Sequence, residues 1–269
     1  MKKTWVDNLI MAKTEIHIGT SGYHYDDWKN VFYPEEIQPS DYLQHYSRFF
    51  NTLELNGTFY KLPNPEHLIK YTDEKLQPFT LSMKAYRGFT HGEGSRAVIR
   101  EMLTAIQPVI RAGVLKTLLF QFPFSFKYSR DNWRKIEMVS EEVRGVAPVL
   151  EFRHRSWFDE LVLDKLRESG LAVCGTDMPG IGKLPGCRLP QTGDLGYFRF
   201  HGRNAAKWWD HDQAWERYDY LYSDDLIKKL IPGLKCWLSE RKTCYIFFNN
   251  HYRGQAVQNA QLLMAFLNV

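Results

Sequence analysis

Polar and charged side chains recur at the ends of short apolar stretches throughout this chain of 269 residues. After Thr52, Leu53 and Leu55 alternate with Glu54 and Asn56, which is the period of a strand that buries one face. Carboxylates beside basic groups are suited to acid–base work on an anionic ligand. The candidates for catalysis are Glu54, Glu151, Asp177 and His201. The candidates for substrate binding are Asn56, Lys84, Gln121, Arg153, Arg199, Arg203, Asn249 and Asn250.

These side chains need a scaffold that brings distant strands together. Eight stretches have strand patterns, and a helical pattern follows each of them. The predicted strands are Ile16–Gly19, Thr52–Asn56, Thr80–Lys84, Leu115–Phe122, Val149–Arg153, Leu171–Thr176, Gly196–His201 and Thr243–Asn249. This order predicts an α/β fold with a single (β/α)8 TIM-type barrel over residues 15–269, preceded by an extension over residues 1–14. An open doubly wound sheet is the alternative, but no Gly-x-Gly-x-x-Gly motif follows a strand.

Two prolines fall inside predicted helices. Pro108 lies in a helix expected over residues 95–113, and Pro232 lies in one expected over residues 223–241. Because proline removes a backbone donor and clashes with the preceding turn, we expect a kink at the first and an interruption at the second.

In a barrel of this kind the active site lies at the carboxyl ends of the strands, where the candidate side chains converge. The alternative is structural: Glu54 and Glu151 pair with Lys84, Arg153 and Arg199 in an ion network that plugs the top of the barrel. The loops after the seventh and eighth strands often bind phosphate. We therefore also expect an anion near Arg199, His201 and Arg203.

Metal binding is a separate hypothesis. Glu54, Glu151, Asp177 and His201 are residue types found in oxygen-rich or mixed metal sites. No close His-x-x-x-His or carboxylate-x-His spacing supports such a site, but barrels assemble ligands from distant strands. The cofactor is therefore unknown, and a divalent metal stays open.

Composition sets wider bounds. The net charge is +4 and the pI is about 8.7, a mildly basic balance that does not by itself predict nucleic-acid binding. The four cysteines form no Cys-x-x-Cys pair, which is typical of reduced thiols in the cytosol. No apolar run approaches the ~20 residues needed to cross a bilayer. We expect a cytoplasmic protein without membrane association, and nothing implies a protein partner.

Several motifs together resemble a known family. They include Gly19-Thr20-Ser21-Gly22, Glu54-Leu55-Asn56-Gly57-Thr58-Phe59-Tyr60, Phe120-Gln121-Phe122-Pro123, Glu151-Phe152-Arg153-His154, Arg199-Phe200-His201-Gly202-Arg203 and Phe248-Asn249-Asn250-His251. In this order they resemble the YecE-like domain-of-unknown-function family, with small departures at Tyr23 and Gly57. The resemblance implies a TIM-type barrel, a fold often compared with the endonuclease IV and xylose isomerase barrels. It implies no settled reaction, and fold alone does not transfer one.

Three functions remain open from the residues. The first is a site that binds an anionic ligand such as a phosphate ester or a nucleic-acid fragment. In this interpretation the protein is a hydrolase that also turns the ligand over. The second is a sugar hydrolase or isomerase that pairs Glu54 with Glu151 and stacks the ring on Trp208 or Trp209. The third is a non-catalytic nucleic-acid-binding protein that uses the basic, aromatic mouth.

Overall fold

A ring of parallel strands surrounded by helices forms the fold. The computed structural model describes residues 14–76 and 78–269. Its strands are β1 (Glu15–Thr20), β2 (Thr52–Leu55), β3 (Thr80–Lys84), β4 (Leu115–Gln121), β5 (Ala147–Glu151), β6 (Ala172–Val173), β7 (Gly175–Asp177), β8 (Leu195–Phe200) and β9 (Thr243–Phe248). They pair in two parallel sheets, with the order β1-β9-β8-β7 in one and β2-β3-β4-β5-β6 in the other.

The two sheets meet at two seams. At the first, β1 and β2 are linked by an isolated bridge between Ser21 and Glu54, and the Gly22 N–H donates to the Glu54 carbonyl at 2.8 Å. At the second, β6 and β7 follow one another in the chain with Cys174 between them, β6 pairing with β5 and β7 with β8. All eight predicted strands are present, the sixth split in two. The predicted TIM-like α/β fold is therefore confirmed, although the ladder runs as two sheets and not as one continuous sheet.

Helices follow the strands. They are α1 (Tyr42–Tyr46), α2 (Gly57–Tyr60), α3 (Pro65–Leu68), α4 (Arg87–Thr90), α5 (Arg96–Ala105), α6 (Gln107–Arg111), α7 (Arg130–Glu142), α8 (Glu160–Glu168), α9 (Asp224–Ser239) and α10 (Gln255–Leu267). The helices α5, α7, α8 and α9 each begin at a capping side chain: Ser95, Ser129, Asp159 and Ser223 accept from a first-turn N–H.

The two prolines behave differently. The helix predicted to kink at Pro108 is instead divided in two, because α5 ends at Ala105 and α6 begins at Gln107 with Pro108 in its first turn. The interruption predicted at Pro232 is wrong, because α9 runs through it without a break. Trp237 and Leu238 at the end of α9 are buried, and this packing compensates for the backbone bond that proline removes.

Alternation along the strands produces two apolar layers. Leu119, Val149, Tyr197, Tyr245 and Phe247 pack together in a cluster inside the ring. The larger cluster lies between strands and helices, and the intervening positions of the same strands contribute to it. For β8, Phe198 and Phe200 point outward, with ring centroids 6.0 Å from Trp237 and 5.3 Å from Tyr222 respectively. Arg199, which lies between them, therefore points into the ring.

The predicted N-terminal extension, residues 1–14, lies outside the described residues except for Thr14. The Thr14 hydroxyl donates to the backbone carbonyl of Arg241 at 2.9 Å. Within the described ranges, no helix combines the length and apolar character that crossing a membrane requires.

Candidate functional site

Arg199 stands at the centre of a buried charge network inside the ring. Its Nη1 donates to Glu151 Oε2 at 2.6 Å, and its Nη2 donates to Glu54 Oε1 at 2.7 Å. All three side chains are almost completely buried. Burial acts to lower the pKa of Arg199, but Glu54 and Glu151 outweigh it and raise that pKa well above its usual value. The arginine is therefore a permanent cation neutralised from two strands.

Hydroxyl groups complete the surroundings of Glu54. Ser21 donates to Oε1 at 2.6 Å, and Tyr197 donates to Oε2 at 2.6 Å. Tyr197 also lies 2.6 Å from the hydroxyl of Ser82 on β3. Each oxygen of Glu54 therefore has a strong donor, as a buried carboxylate requires. Tyr197 and Ser82 were not predicted as site residues, although their inward strand positions could have indicated them.

Glu151 is held by further basic groups. Arg153 Nε lies 2.6 Å and His201 Nε2 lies 3.2 Å from Glu151 Oε1. Burial would raise the pKa of Glu151, but Arg153 and Arg199 hold it well below its usual range. The His201 pKa is lowered well below its usual value by burial and then by Arg153, so its ring stays neutral at pH 7. Asn249 Nδ2 lies 3.1 Å from His201 Nδ1, which favours a donor hydrogen on His201 Nε2 facing Glu151.

Above this network a cavity of about 920 Å³ opens at the carboxyl ends of β2 and β3. Its cationic lining residues are Lys61, Lys70, Lys84, Arg153 and Arg199. Within the described part of the chain, no aspartate or glutamate lines it. The carboxylates of the network are screened from the cavity by their own arginines, so the ligand-facing surface is positive.

Aromatic rings make up much of the cavity wall. The tyrosine and phenylalanine residues that line it are Tyr23, Tyr25, Phe59, Tyr60, Tyr71 and Tyr218. His251 also lines it and stacks on Tyr25 with ring centroids 4.5 Å apart. Most of this wall comes from the segments after β1 and β2, which sequence reasoning did not assign to the site. The density of aromatic and basic residues between positions 57 and 71 was the available signal.

Lys84 is a cation of the cavity that lies outside the ion network. It ends β3, and its Nζ lies 3.8 Å from the centroid of the Phe59 ring. Among the described residues, no carboxylate lies within ion-pair distance of this ammonium group. Burial, followed by the nearby charge of Arg199, lowers the pKa of Lys84 to about 7. The predicted ion-network alternative therefore describes Glu54, Glu151, Arg153 and Arg199, but not Lys84.

Asp177 and Arg203 pair with each other and lie outside the cavity lining. Arg203 Nε donates to Asp177 Oδ1 at 2.8 Å and its Nη2 donates to Oδ2 at 2.5 Å. Tyr222 donates to the same carboxylate at 2.8 Å. Their predicted roles in catalysis and binding stay predictions, because this bidentate pair occupies the groups that a ligand would use. An anion near Arg199, His201 and Arg203 would likewise find the Arg203 guanidinium already occupied by Asp177.

Of the four amide side chains predicted to bind substrate, two line the cavity and two do not. Asn56 and Asn249 line the cavity, and the buried Oδ1 of Asn56 has no hydrogen-bond donor in the described structure. Gln121 instead donates to the backbone carbonyl of Phe122 at 2.7 Å. Asn250 donates to the backbone of Tyr220 and to Asn259, both at 2.9 Å, and so fixes the loop after β9.

The two tryptophans on which a sugar ring was expected to stack lie elsewhere. Trp208 is buried with Met178 and Leu184, and its ring lies 5.7 Å from the Arg153 guanidinium. Trp209 is exposed and contacts Phe124 with ring centroids 5.1 Å apart. Neither belongs to the cavity lining.

Metal binding was left open by the sequence, and the described residues contain no preformed set of metal ligands. Across residues 14–76 and 78–269, no group of three or more His, Cys, Asp and Glu side chains is arranged to hold an ion. The carboxylates proposed as ligands already accept from arginine: Glu54 and Glu151 from Arg199, and Asp177 from Arg203.

The geometry also bears on a sugar-cleaving site. A glycosidase needs one carboxylic acid that is protonated when the substrate binds. Glu151 has its pKa held well below the usual range and is completely buried, so it is a poor proton donor. Glu54 is buried and accepts from three side chains, Ser21, Tyr197 and Arg199. Nothing in the arrangement favours this second hypothesis.

Comparisons with known proteins give a consistent result. The family model described as "Protein of unknown function DUF72" matches residues 17–269. The UPF0759 protein YunF of Bacillus subtilis (strain 168) is 28% identical over an alignment 271 residues long. The match covers 94% of this chain and 95% of that protein.

Solved structures agree with this match. A crystal structure of a DUF72 family protein from Thermotoga maritima has a TM-score of 0.86 and 35% identity, and covers 95% of this chain and 100% of that one. A DUF72 family protein from Enterococcus faecalis has a TM-score of 0.83 at 23% identity, with 94% and 96% covered, and this likeness shows the fold alone.

Proposed function

The chain belongs to the DUF72 family of unknown function, as its resemblance to the YecE-like proteins predicted, and we propose that its cavity binds a small anionic ligand such as a phosphate ester. The main observation behind this proposal is the charge of the lining, which contains lysines and arginines and, in the described residues, no aspartate or glutamate. A concave site with one sign of charge and partly apolar walls concentrates ligands of the opposite sign.

The cations are not equally available to a ligand. Arg199 is neutralised by Glu54 and Glu151, and its role is to hold the floor of the cavity together. Lys84 has no carboxylate partner among the described residues, and Arg153 contacts Glu151 through Nε, which leaves the terminal nitrogens of its fork. Lys84 and Arg153 are therefore the ligand-binding cations of the proposal, with Lys61 and Lys70 at the rim.

The walls support a ligand that has a planar ring as well as an anion. The volume of about 920 Å³ is at the upper end of small-molecule sites, which suits a molecule the size of a nucleotide. Tyr25 and His251 already stack on one another, Phe59 lies against Lys84, and Tyr60 also lines the cavity. A base or another ring can stack on such side chains without a sequence-specific contact.

Turnover of the ligand is the weaker half of the hypothesis. Glu54 and Glu151, two of the predicted catalytic residues, are enclosed by arginine and do not line the cavity. Hydrolysis of a phosphate ester would therefore have to use another group, and binding is the part that the geometry supports best. A short single strand of nucleic acid also presents phosphates and planar bases, so titration with an oligonucleotide is needed to distinguish it from a small anion.

The test is calorimetric titration of the protein with pyrophosphate, with adenosine monophosphate and with a short oligonucleotide. We expect saturable binding of the small anions that weakens as salt rises. Lys84→Met and Arg153→Met should each weaken it by about 10- to 100-fold, since a hydrogen bond between charged groups contributes about 1.5–3 kcal/mol. Lys116→Met, which removes an exposed lysine of β4 outside the cavity lining, is the matched control and should bind normally.

Two outcomes would contradict the proposal. Absence of saturable binding of either small anion at low salt would remove the anion site. Unchanged affinity in both cavity variants would place any binding elsewhere. Tight binding of the oligonucleotide with weak binding of the mononucleotide would instead favour the nucleic-acid-binding alternative.

A further inference from the structure

We propose that the Lys84 amine forms an imine with a carbonyl group of the anionic ligand in the cavity. This inference rests on the proposed anion-binding function and names the chemical class of the ligand more closely: an aldehyde or ketone that also carries a phosphate or carboxylate. Lysine does this chemistry when its amine is uncharged and accessible.

The placement of Lys84 fits a nucleophile. It lies at the carboxyl end of β3, where barrel strands present reactive side chains, and it is half-buried in the lining of the cavity. Its Nζ contacts the face of Phe59 at 3.8 Å from the ring centroid, and no carboxylate of the described residues fixes it in an ion pair. Lys70 differs, because its Nζ donates to the Tyr23 hydroxyl at 3.1 Å.

Charged groups face Lys84 from several elements. Arg199 on β8 and Arg153 after β5 disfavour a further positive charge, whereas Glu151 and Glu54 favour it. His91, at the end of α4, has its own pKa lowered to about 4 by burial and then by Lys84, so it adds no charge at pH 7. The balance, with burial as the largest effect, lowers the pKa of Lys84 to about 7. The uncharged amine is therefore far more abundant near neutral pH than it is for an ordinary lysine.

The step is balanced without an oxidant or a cofactor. The lone pair of Lys84 Nζ attacks the carbonyl carbon, and one amine proton moves from nitrogen to the carbonyl oxygen, which becomes the hydroxyl of a carbinolamine. This hydroxyl leaves as water with one proton from nitrogen, so the carbon–nitrogen double bond forms as the carbon–oxygen bond breaks. Hydrolysis reverses the step and restores the amine.

Two neighbours suit this chemistry. Asn56 lines the cavity at the end of β2, and its buried Oδ1 has no donor among the described residues, so it can accept from the carbinolamine hydroxyl. Arg153 lines the same cavity and can bind the phosphate or carboxylate of the ligand through its terminal nitrogens. An anion at Arg153 would hold the carbonyl group near Lys84, which is why an anionic carbonyl compound fits better than a neutral one.

The experiment uses pyridoxal phosphate as the probe, because it is an aldehyde with a phosphate and a planar ring. The full-length protein is incubated with it, reduced with borohydride and mapped by peptide mass spectrometry. We expect a single main adduct on Lys84, labelling that rises through a midpoint near pH 7, and protection by pyrophosphate. Pyridoxal, which lacks the phosphate, should label Lys84 at least ten times more slowly.

Lys84→Arg keeps the positive charge but cannot form an imine, so it should lose the adduct, whereas Lys116→Arg should keep it. Adducts spread over surface lysines, or concentrated on Lys61 or Lys70, would overturn the proposal. So would a labelling midpoint near pH 10. If pyrophosphate binds to the wild type but Lys84 is not labelled, the imine inference alone fails. If pyrophosphate does not bind, the anion-binding function fails with it.

Discussion

Arg199 donates a hydrogen bond to Glu151 over 2.6 Å inside the ring, and the two residues lie on strands β8 and β5, 48 positions apart. Both side chains are removed from water, so each charge depends on the other for compensation. Arg199 uses its other terminal nitrogen on Glu54, which makes it the link between three strands. Arg199 also lines the cavity, so its predicted role in ligand binding stays a prediction beside this structural one.

The first prediction concerns the loss of this link. Arg199→Met should lower the free energy of unfolding by about 3–5 kcal/mol, because it leaves two buried carboxylates without their main cation. Urea unfolding followed by circular dichroism measures the effect. The double variant Arg199→Met/Glu54→Gln should recover part of the loss, since one uncompensated charge is then removed. A stability within 1 kcal/mol of the wild type would show that the network does not stabilise the fold.

The second prediction concerns pH. The folded-state pKa of His201 lies below its unfolded value of 6.5, because burial and Arg153 disfavour the imidazolium and outweigh Glu151. The unfolded chain therefore binds more protons below pH 6.5, and the stability that His201 contributes is present above that pH and lost as pH falls. Between pH 6 and pH 5 the advantage of the wild type over His201→Gln should therefore shrink.

Unfolding free energies of both proteins at several pH values test this. The comparison isolates His201 from His154 and His251, whose pKa values are also lowered. Glu151 contributes in a different window, because its stability is lost only below the unfolded carboxyl pKa near 4.5. Parallel curves for the two proteins would mean that His201 does not titrate differently in the folded state.

The third prediction separates Asp177 from the cavity. Asp177→Asn should lower stability by about 1–3 kcal/mol, because Arg203 loses its bidentate partner and Tyr222 loses a charged acceptor. It should leave pyrophosphate affinity unchanged, because neither Asp177 nor Arg203 lines the cavity. A tenfold loss of affinity with unchanged stability would restore the binding and catalytic roles that the sequence suggested.

Sequence alone could predict which way β8 presents its side chains, because Phe198 and Phe200 alternate with Arg199. It could not predict the partners of Arg199, since contacts across the ring depend on the tilt and stagger of all the strands. Glu54 is 145 positions from Arg199, and nothing local indicates that they meet. The same limit explains the cavity wall: the residues after β2 carry aromatic and basic side chains, but only the closure of the fold places them beside Lys84.

The seam between β1 and β2 is held by Tyr46 in place of a regular ladder, and it gives the last prediction. The Thr20 N–H donates to the Tyr46 hydroxyl at 2.9 Å, and that hydroxyl donates to the Thr52 carbonyl at 3.1 Å. Gly19 permits this approach, because a Cβ there would lie 2.3 Å from the Thr52 oxygen and 3.0 Å from the Tyr46 hydroxyl.

Gly19→Ala should therefore push the two strands apart and lower the free energy of unfolding by about 1–3 kcal/mol or more, as overpacking does in other cores. The matched control is Gly233→Ala in α9, where the added Cβ meets only Leu189 at an ordinary 3.7 Å. That change should stabilise the protein by up to about 1 kcal/mol, because alanine is the better helix former. Urea unfolding of both variants decides the matter. If Gly19→Ala were as stable as the wild type, β1 could move away from β2 at no cost, and Tyr46 would not fix the seam.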